Sequence, residues 1–305
     1  PDLPILFQTV NRSPRYSANL VLDSFAGSIH IPCPPNNLFP SNIEGLPTWF
    51  HIRASARGYI GHHPAPQVLV CMNPQTAAED LEHLPVGGLC LYRAELDQQA
   101  DFQVVRDRRG DEVRLIPVPF GTLAEAAYPP DPADKAYRDK LRKVVNMVYV
   151  GVLAAALGIE MEAIHAAIRR QFPGRKAKAS EVNIRAADAG LAWGRQNLPA
   201  DLPVRVARMD ATADSILVEG NQAAALGLVF GGANVLTWYP ITPSSSLAEN
   251  AETYLKTLRT TAEGKHTFAV VQAEDELTAI GMAVGAGWAG ARAATATSGP
   301  GISLM

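Results

Sequence analysis

Three acids stand together in Gln272-Ala273-Glu274-Asp275-Glu276-Leu277, at the head of a segment of helical composition. Helix N-termini favour carboxylates for dipole reasons alone, so the cluster fits a plain helix start. The chemical reading is that one acid faces inward across the small residues Ala279, Gly281, Ala283 and Gly285. A carboxylate desolvated there would have its pKa raised and could share a proton with a ligand nitrogen. With ~100° of rotation per helical residue, Glu274 and Glu276 would point about 200° apart, so only one of them can line a given pocket.

Two further segments could serve the same site. In Tyr239-Pro240-Ile241-Thr242-Pro243-Ser244-Ser245-Ser246, the prolines stiffen a loop and leave Thr242 as a fixed hydroxyl able to donate to a carboxylate. Ser246 with Glu249 three residues on has the spacing of a capping box, and the plain alternative is a proline turn followed by a capped helix. Thr295-Ala296-Thr297-Ser298-Gly299-Pro300-Gly301 has glycines that permit close backbone approach, and free amides that can meet an anion or a polar ring edge.

The elements that must carry these segments follow from the apolar rhythm. Residues 221–231 read as a helix, 234–238 as a strand, 246–261 as a helix, 267–271 as a strand, 275–290 as a helix and 293–296 as a strand. Strands separated by helices need crossover connections, which build a parallel sheet covered on both faces. Ligands bind at the carboxyl edge of such sheets, where all three segments fall. The final residues resemble the opening turn of another helix, so this domain is expected to be cut short at its C-terminal end. Upstream, apolar runs at 4–10, 17–25, 48–54, 67–71 and 87–92 lead to a helix pair, 134–157 and 160–172, broken at Gly158 by an expected glycine cap. The fold class expected is α/β with two Rossmann-like domains, residues 1–172 and 216–305. Residues 173–215, bearing Pro173, Gly174, Pro199 and Pro203 around a charged helix, read as a connector.

Composition narrows the classes. Apolar residues at 47% against 19% charged support packed cores, and a formal net charge of -3 offers no electrostatic attraction for nucleic acid. The longest apolar run, 144–157, is interrupted by Asn146 and Gly151, which argues against a membrane span. Residues 1–4 lack the basic and apolar regions of a secretory signal. Cys33, Cys71 and Cys90 form neither a disulfide framework nor a metal-binding spacing, which suits a reducing cytoplasm.

Taken together, Tyr239-Pro240-Ile241-Thr242-Pro243, Glu274 to Gly281 and Thr297-Ser298-Gly299-Pro300-Gly301 resemble, in order and spacing, the pyrimidine-binding domain of the 2-oxoacid:ferredoxin oxidoreductases. Gly220-Asn221-Gln222-Ala223 looks like that domain's first helix. Asn37-Leu38-Phe39-Pro40-Ser41-Asn42-Ile43, Cys71-Met72-Asn73-Pro74-Gln75 and Asn146-Met147-Val148-Tyr149 are similar to the family's gamma-type domain, fused ahead of the pyrimidine domain as in the alpha subunit of the 2-oxoglutarate type. The residues 11–19 depart from the family's glycine-rich turn. Arg12 and Pro14 cannot replace glycines there, so the resemblance carries no nucleotide or coenzyme A role onto that turn.

The resemblance implies a thiamine-diphosphate-dependent oxidative decarboxylation of a 2-oxoacid, 2-oxoglutarate above others, with coenzyme A, giving acyl-CoA, carbon dioxide and reduced ferredoxin. Glu276, in the family's Glu-x-x-Ala spacing, would hold the aminopyrimidine proton, and Thr242 would meet the substrate carboxylate. Tyr239, Pro240, Ile241, Thr297, Ser298 and Gly299 would line the cofactor. No Gly-Asp-Gly occurs in the sequence, and three scattered cysteines cannot hold a cluster. Diphosphate, Mg2+ and a 4Fe-4S cluster are therefore expected on a partner beta subunit. The competing expectations are a noncatalytic Rossmann-like scaffold or nucleotide-binding subunit, and the pyrimidine half of a transketolase-type enzyme.

Overall fold

A computed structural model describes residues 2–9, 35–38, 48–58, 63–130, 132–174, 177–212, 214–216 and 218–305. The turn at 11–19, the run at 17–25, Cys33 and residues 39–47 of the Leu-Phe-Pro motif lie outside the described residues. The chain divides into two compact units, Pro1–Ser215 and Ile216–Met305.

The first unit is built on a six-stranded sheet in the order β2-β3-β1-β4-β5-β6, from β1 (Asp2–Thr9), β2 (Pro35–Leu38), β3 (Thr48–Ser55), β4 (Val68–Cys71), β5 (Leu89–Arg93) and β6 (Arg114–Val118). β1, β4, β5 and β6 run parallel, while β2 and β3 add an antiparallel edge. The central strands β4 and β5 are buried on both faces, as continuous runs such as Val68-Leu69-Val70-Cys71 require. Val68, Val70, Leu89 and Leu91 point to one core, and Leu69, Cys71, Cys90 and Tyr92 to the other. Helices α1 (Ala77–Glu82) and α2 (Ala100–Arg109) close the second core, through residues such as Leu81 and Phe102. Helices α3 (Phe120–Ala127), α4 (Tyr137–Leu157), α5 (Met161–Gln171) and α6 (Ala177–Asn197) close the first. Gly158 ends α4 in the left-handed region at φ 74°, where glycine carries no Cβ penalty.

The structure adds one strand to the runs read from the sequence and places residues 173–215 within the first unit. β6 was not among the runs singled out in the sequence; it carries Pro117 and is the edge strand, where a proline is tolerated. The segment read as a connector belongs to the first compact unit, and its helix α6 packs backbone to backbone against α4. A Cβ on Gly151 would overlap the Ala187 carbonyl, and one on Gly190 would overlap the Val148 carbonyl.

Under β3, Trp49 Nε1 donates to Asp80 Oδ1 at 3.0 Å, and the Thr76 side chain also hydrogen-bonds this carboxyl. Burial, outweighing these bonds, raises the Asp80 carboxyl from 3.8 to about 6. The folded state then binds this proton more tightly than the unfolded state, so the contribution to stability is full below pH 3.8 and lost as pH rises through about 6. Asp80→Asn keeps an acceptor for Trp49 without the charge. Its melting temperature is expected to exceed that of the parent by ~5 °C at pH 8, from a gain of at most ~3 kcal/mol, and to match it near pH 4. Equal melting at pH 8 would remove the charge penalty from Asp80.

The second unit carries β7 (Val235–Trp238), β8 (Ala269–Gln272) and β9 (Ala293–Ala296) as a parallel sheet in the order β8-β7-β9. Helices α7 (Gly220–Phe230), α8 (Ser245–Leu258), α9 (Glu276–Trp288) and α10 (Pro300–Leu304) connect and cover it. Ala225, Leu236, Ala248 and Ala251 form its small core, so the helices approach the sheet on alanine faces. Among the described residues of both units, no helix is long and apolar enough to cross a membrane.

Candidate functional site

The carboxyl ends of β7, β8 and β9 open directly into the three segments singled out by the sequence. β7 is the middle strand, so its loop 239–244 lies between the other two. Trp238 O accepts from Ala273 N at 2.7 Å, and Ser298 Oγ donates to Thr242 O at 3.1 Å. The strand ends are thereby tied into one edge.

The acid cluster separates into three roles. Asp275 is the N-cap of α9, and its side chain accepts from Thr278 N at 2.6 Å. The hydrogen bonds from the Thr278 side chain and amide hold the Asp275 carboxyl below its usual range. Glu274 is exposed in the loop ahead of the cap, whereas Glu276 is half-buried as the first residue of the helix. The expectation that both glutamates lie on the helix, 200° apart, is therefore corrected. The helix begins at Glu276, two residues past Glu274, because Asp275 caps it.

Glu276 leans over the β9 loop. A Cβ on Gly301 would lie 3.0 Å from Glu276 Cγ and 3.3 Å from its Oε1, and would overlap Thr297 Oγ1. The bare backbone of Gly301 is thus what lets the carboxylate and the threonine converge. Thr297 Oγ1 is buried and lacks a hydrogen-bond partner among the described residues, which is costly unless something polar meets it. Gly299 takes φ 58°, placing the turn in the left-handed region. Helix α9 is fixed beneath by Thr237 Oγ1, which donates to Ala279 O at 2.7 Å. The predicted small-residue surface divides in two, with Ala279 and Ala283 buried and Gly281 and Gly285 exposed.

In the middle loop Thr242 is exposed, and the peptide bond to Pro243 is cis. Ile241 O accepts from Ser245 N and from Ser244 Oγ, both at 3.0 Å. This turn starts α8 at Ser245, one residue ahead of the predicted start. The expected Ser246–Glu249 capping box is not formed, since Ser246 lies within the helix and its hydroxyl donates back to Pro243 O at 3.2 Å. Tyr239 and Pro240 lead from β7 into this turn, Tyr239 half-buried and Pro240 exposed.

Sequence reasoning missed Asn221, which reaches from the start of α7 to the loop. Its amide donates to Pro243 O at 2.8 Å and to Ser246 Oγ at 2.7 Å. The residue stands 22 positions from Pro243, and no local pattern could have paired them. The edge as a whole presents an exposed hydroxyl at Thr242, a half-buried carboxylate at Glu276 and an orphaned hydroxyl at Thr297. It can bind an anion at one end and hold a proton at the other.

Residues 17–193 match the family described as pyruvate ferredoxin/flavodoxin oxidoreductase. Residues 227–305 match its thiamine-diphosphate-binding domain. The chain is 28% identical over 301 residues to the alpha subunit of 2-oxoacid:ferredoxin oxidoreductase 1 from Aeropyrum pernix, covering 88% of this chain and 46% of that one. It is 31% identical over 260 residues to the 2-oxoglutarate oxidoreductase subunit KorA of Mycobacterium tuberculosis, covering 78% and 37%. A 2-oxoglutarate:ferredoxin oxidoreductase from Magnetococcus marinus, solved with 2-oxoglutarate, coenzyme A and succinyl-CoA bound, superposes with a TM-score of 0.81 at 26% identity, over 100% of this chain and 49% of that one. The chain spans less than half the length of these relatives.

Proposed function

The chain belongs to the pyruvate ferredoxin/flavodoxin oxidoreductase family, and on that premise we propose that it supplies the pyrimidine side of a thiamine-diphosphate site in a 2-oxoacid:ferredoxin oxidoreductase acting on 2-oxoglutarate. The reaction is oxidative decarboxylation with coenzyme A to acyl-CoA, carbon dioxide and reduced ferredoxin. The observation that carries the reading is the convergence of Glu276, Thr297 and the bare backbone of Gly301 at one sheet edge. These residues fit a flat, polar aminopyrimidine edge. Glu276 holds a proton at its carboxylate, Thr297 offers its unpartnered hydroxyl, and Ser298 and Gly299 shape the turn beside them. Tyr239, Pro240 and Ile241, in the loop after β7, would line the cofactor at the same edge, and Thr242 donates its exposed hydroxyl to the substrate carboxylate. When bound, thiamine diphosphate supplies the electron sink that lets a 2-oxoacid release carbon dioxide.

The choice of 2-oxoglutarate is supported by the names of the M. tuberculosis and M. marinus relatives. A partner that brings the diphosphate site, Mg2+ and a 4Fe-4S cluster is part of the same proposal, and the outer face of α9 leaves an apolar surface for another segment or subunit to cover. Leu277, Val284 and Trp288 are 56%, 63% and 93% exposed there, with Gly281 between them at helical spacing. An apolar stripe of this kind marks a protein interface.

The test is dye reduction by the assembled enzyme with 2-oxoglutarate, pyruvate and branched 2-oxoacids in turn. Thr242→Val is expected to lower kcat/KM for 2-oxoglutarate by about 10- to 100-fold, the ~1.5 to 3 kcal/mol of a hydrogen bond to a charged group. Unchanged efficiency would retire the Thr242 assignment, and preference for pyruvate would retire the substrate.

A further inference from the structure

Beyond the turn bonds of its own loop, the segment at Thr242 is held by two residues distant along the chain. On one side Asn221 Nδ2 donates to Pro243 O at 2.8 Å and to Ser246 Oγ at 2.7 Å, and the Ser246 hydroxyl passes the bond back to the same carbonyl at 3.2 Å. On the other side Ser298 Oγ donates to Thr242 O at 3.1 Å. Two consecutive carbonyls are thus held from opposite directions, one from the start of α7 and one from the turn after β9. The tethers come from α7, from α8 and from the turn after β9, so the loop's position depends on three separate elements. The carbonyl on the other side of Thr242, that of Ile241, accepts from Ser245 N and Ser244 Oγ, so the backbone is held before Thr242, at its own carbonyl and at the next one, and this restraint limits the directions in which its hydroxyl can be presented.

We infer that Asn221 is a positioning residue for substrate binding, acting with Ser298 through the Thr242–Pro243 segment, and the inference rests on the reading that Thr242 takes the substrate carboxylate. Asn221 touches neither Glu276 nor the Thr297 hydroxyl by any hydrogen bond among the described residues. Its loss should therefore spare the proton-holding end of the site and weaken the anion-binding end.

The useful variant is Asn221→Asp. It keeps the shape but removes both donors, turning a carboxylate toward a carbonyl. Asn221 sits in the first turn of α7 (Gly220–Phe230), where the helix dipole favours an acid, so the substitution does not weaken the helix itself. In the assembled enzyme, N221D is expected to raise KM for 2-oxoglutarate by about tenfold with kcat changed less than about threefold, and with the melting temperature and C2-proton exchange of bound thiamine diphosphate at parent values. Ser298→Ala, which removes the second tether, should share the KM defect. A double-mutant cycle separates this inference from the reading beneath it. If Asn221 works through Thr242, adding N221D to Thr242→Val costs little further. If Thr242→Val alone raises KM but N221D does not, the clamp is overturned and the carboxylate reading stands. If neither raises KM, the carboxylate reading falls and takes the clamp with it. A fall in melting temperature that tracks the loss of binding in N221D would show a structural role only, and would overturn positioning.

Discussion

Glu276→Gln is expected to slow C2-proton exchange of bound thiamine diphosphate by about 10² to 10⁴-fold in the assembled complex, the loss typical of a removed acid-base group. Glutamine keeps the volume that packs against Gly301 and keeps an oxygen near Thr297, so the change isolates the ability to hold a proton. Glu274→Gln is the matched control. Glu274 is exposed and lies ahead of the Asp275 cap, so its loss costs at most the ~0.3 to 1 kcal/mol of an acid near a helix start. Melting curves of all three proteins separate folding from chemistry. Exchange abolished by Glu274→Gln and intact in Glu276→Gln would put the proton on the wrong side of the cap. Exchange indifferent to both would withdraw the thiamine reading.

The second large effect is on stability, at the crossing of α4 and α6. Gly151→Ala and Gly190→Ala each place a methyl group into the facing backbone carbonyl, of Ala187 and Val148 respectively. A carbonyl in a buried helix cannot swing aside as a side-chain tip can. The helices must separate, and overpacking of this kind costs on the order of 3 kcal/mol or more. The first unit should then melt ~6 to 12 °C lower. Gly121→Ala in α3 is the control within the same unit, because its nearest neighbour is the flexible end of Glu95 at 3.2 Å. Alanine there should be neutral or stabilising by up to ~1 kcal/mol. Should Gly151→Ala melt at or above the parent, the close crossing is wrong.

Much of the second unit was legible in advance because its signals are local. Strands of four residues, alternating with helices that start at capping residues, leave few other topologies, and β9 (Ala293–Ala296) was expected at the same residues. Helix ends were harder. Ser246 with Glu249 has a capping spacing, yet the turn at Ile241 starts the helix earlier and takes the Ser246 hydroxyl for another bond. In the first unit the edge strand β6 was not read from the sequence, and the cost of its Pro117 depends on whether another strand lies beside it.

By itself, then, the sequence determined the α/β class, the order of the loops and the residue types that could bind a ring nitrogen, a carboxylate or a proton. These follow from side-chain chemistry and periodicity, which are properties of neighbouring positions. Only the tertiary structure decided which acid faces the β9 loop, because capping at Asp275 sets where α9 begins. It also decided that Asn221 reaches Pro243, that Gly301 makes room for Glu276, and that Gly151 and Gly190 are contact points. Each of these joins residues distant along the chain, and such contacts are set by how helices and strands pack rather than by any spacing within them.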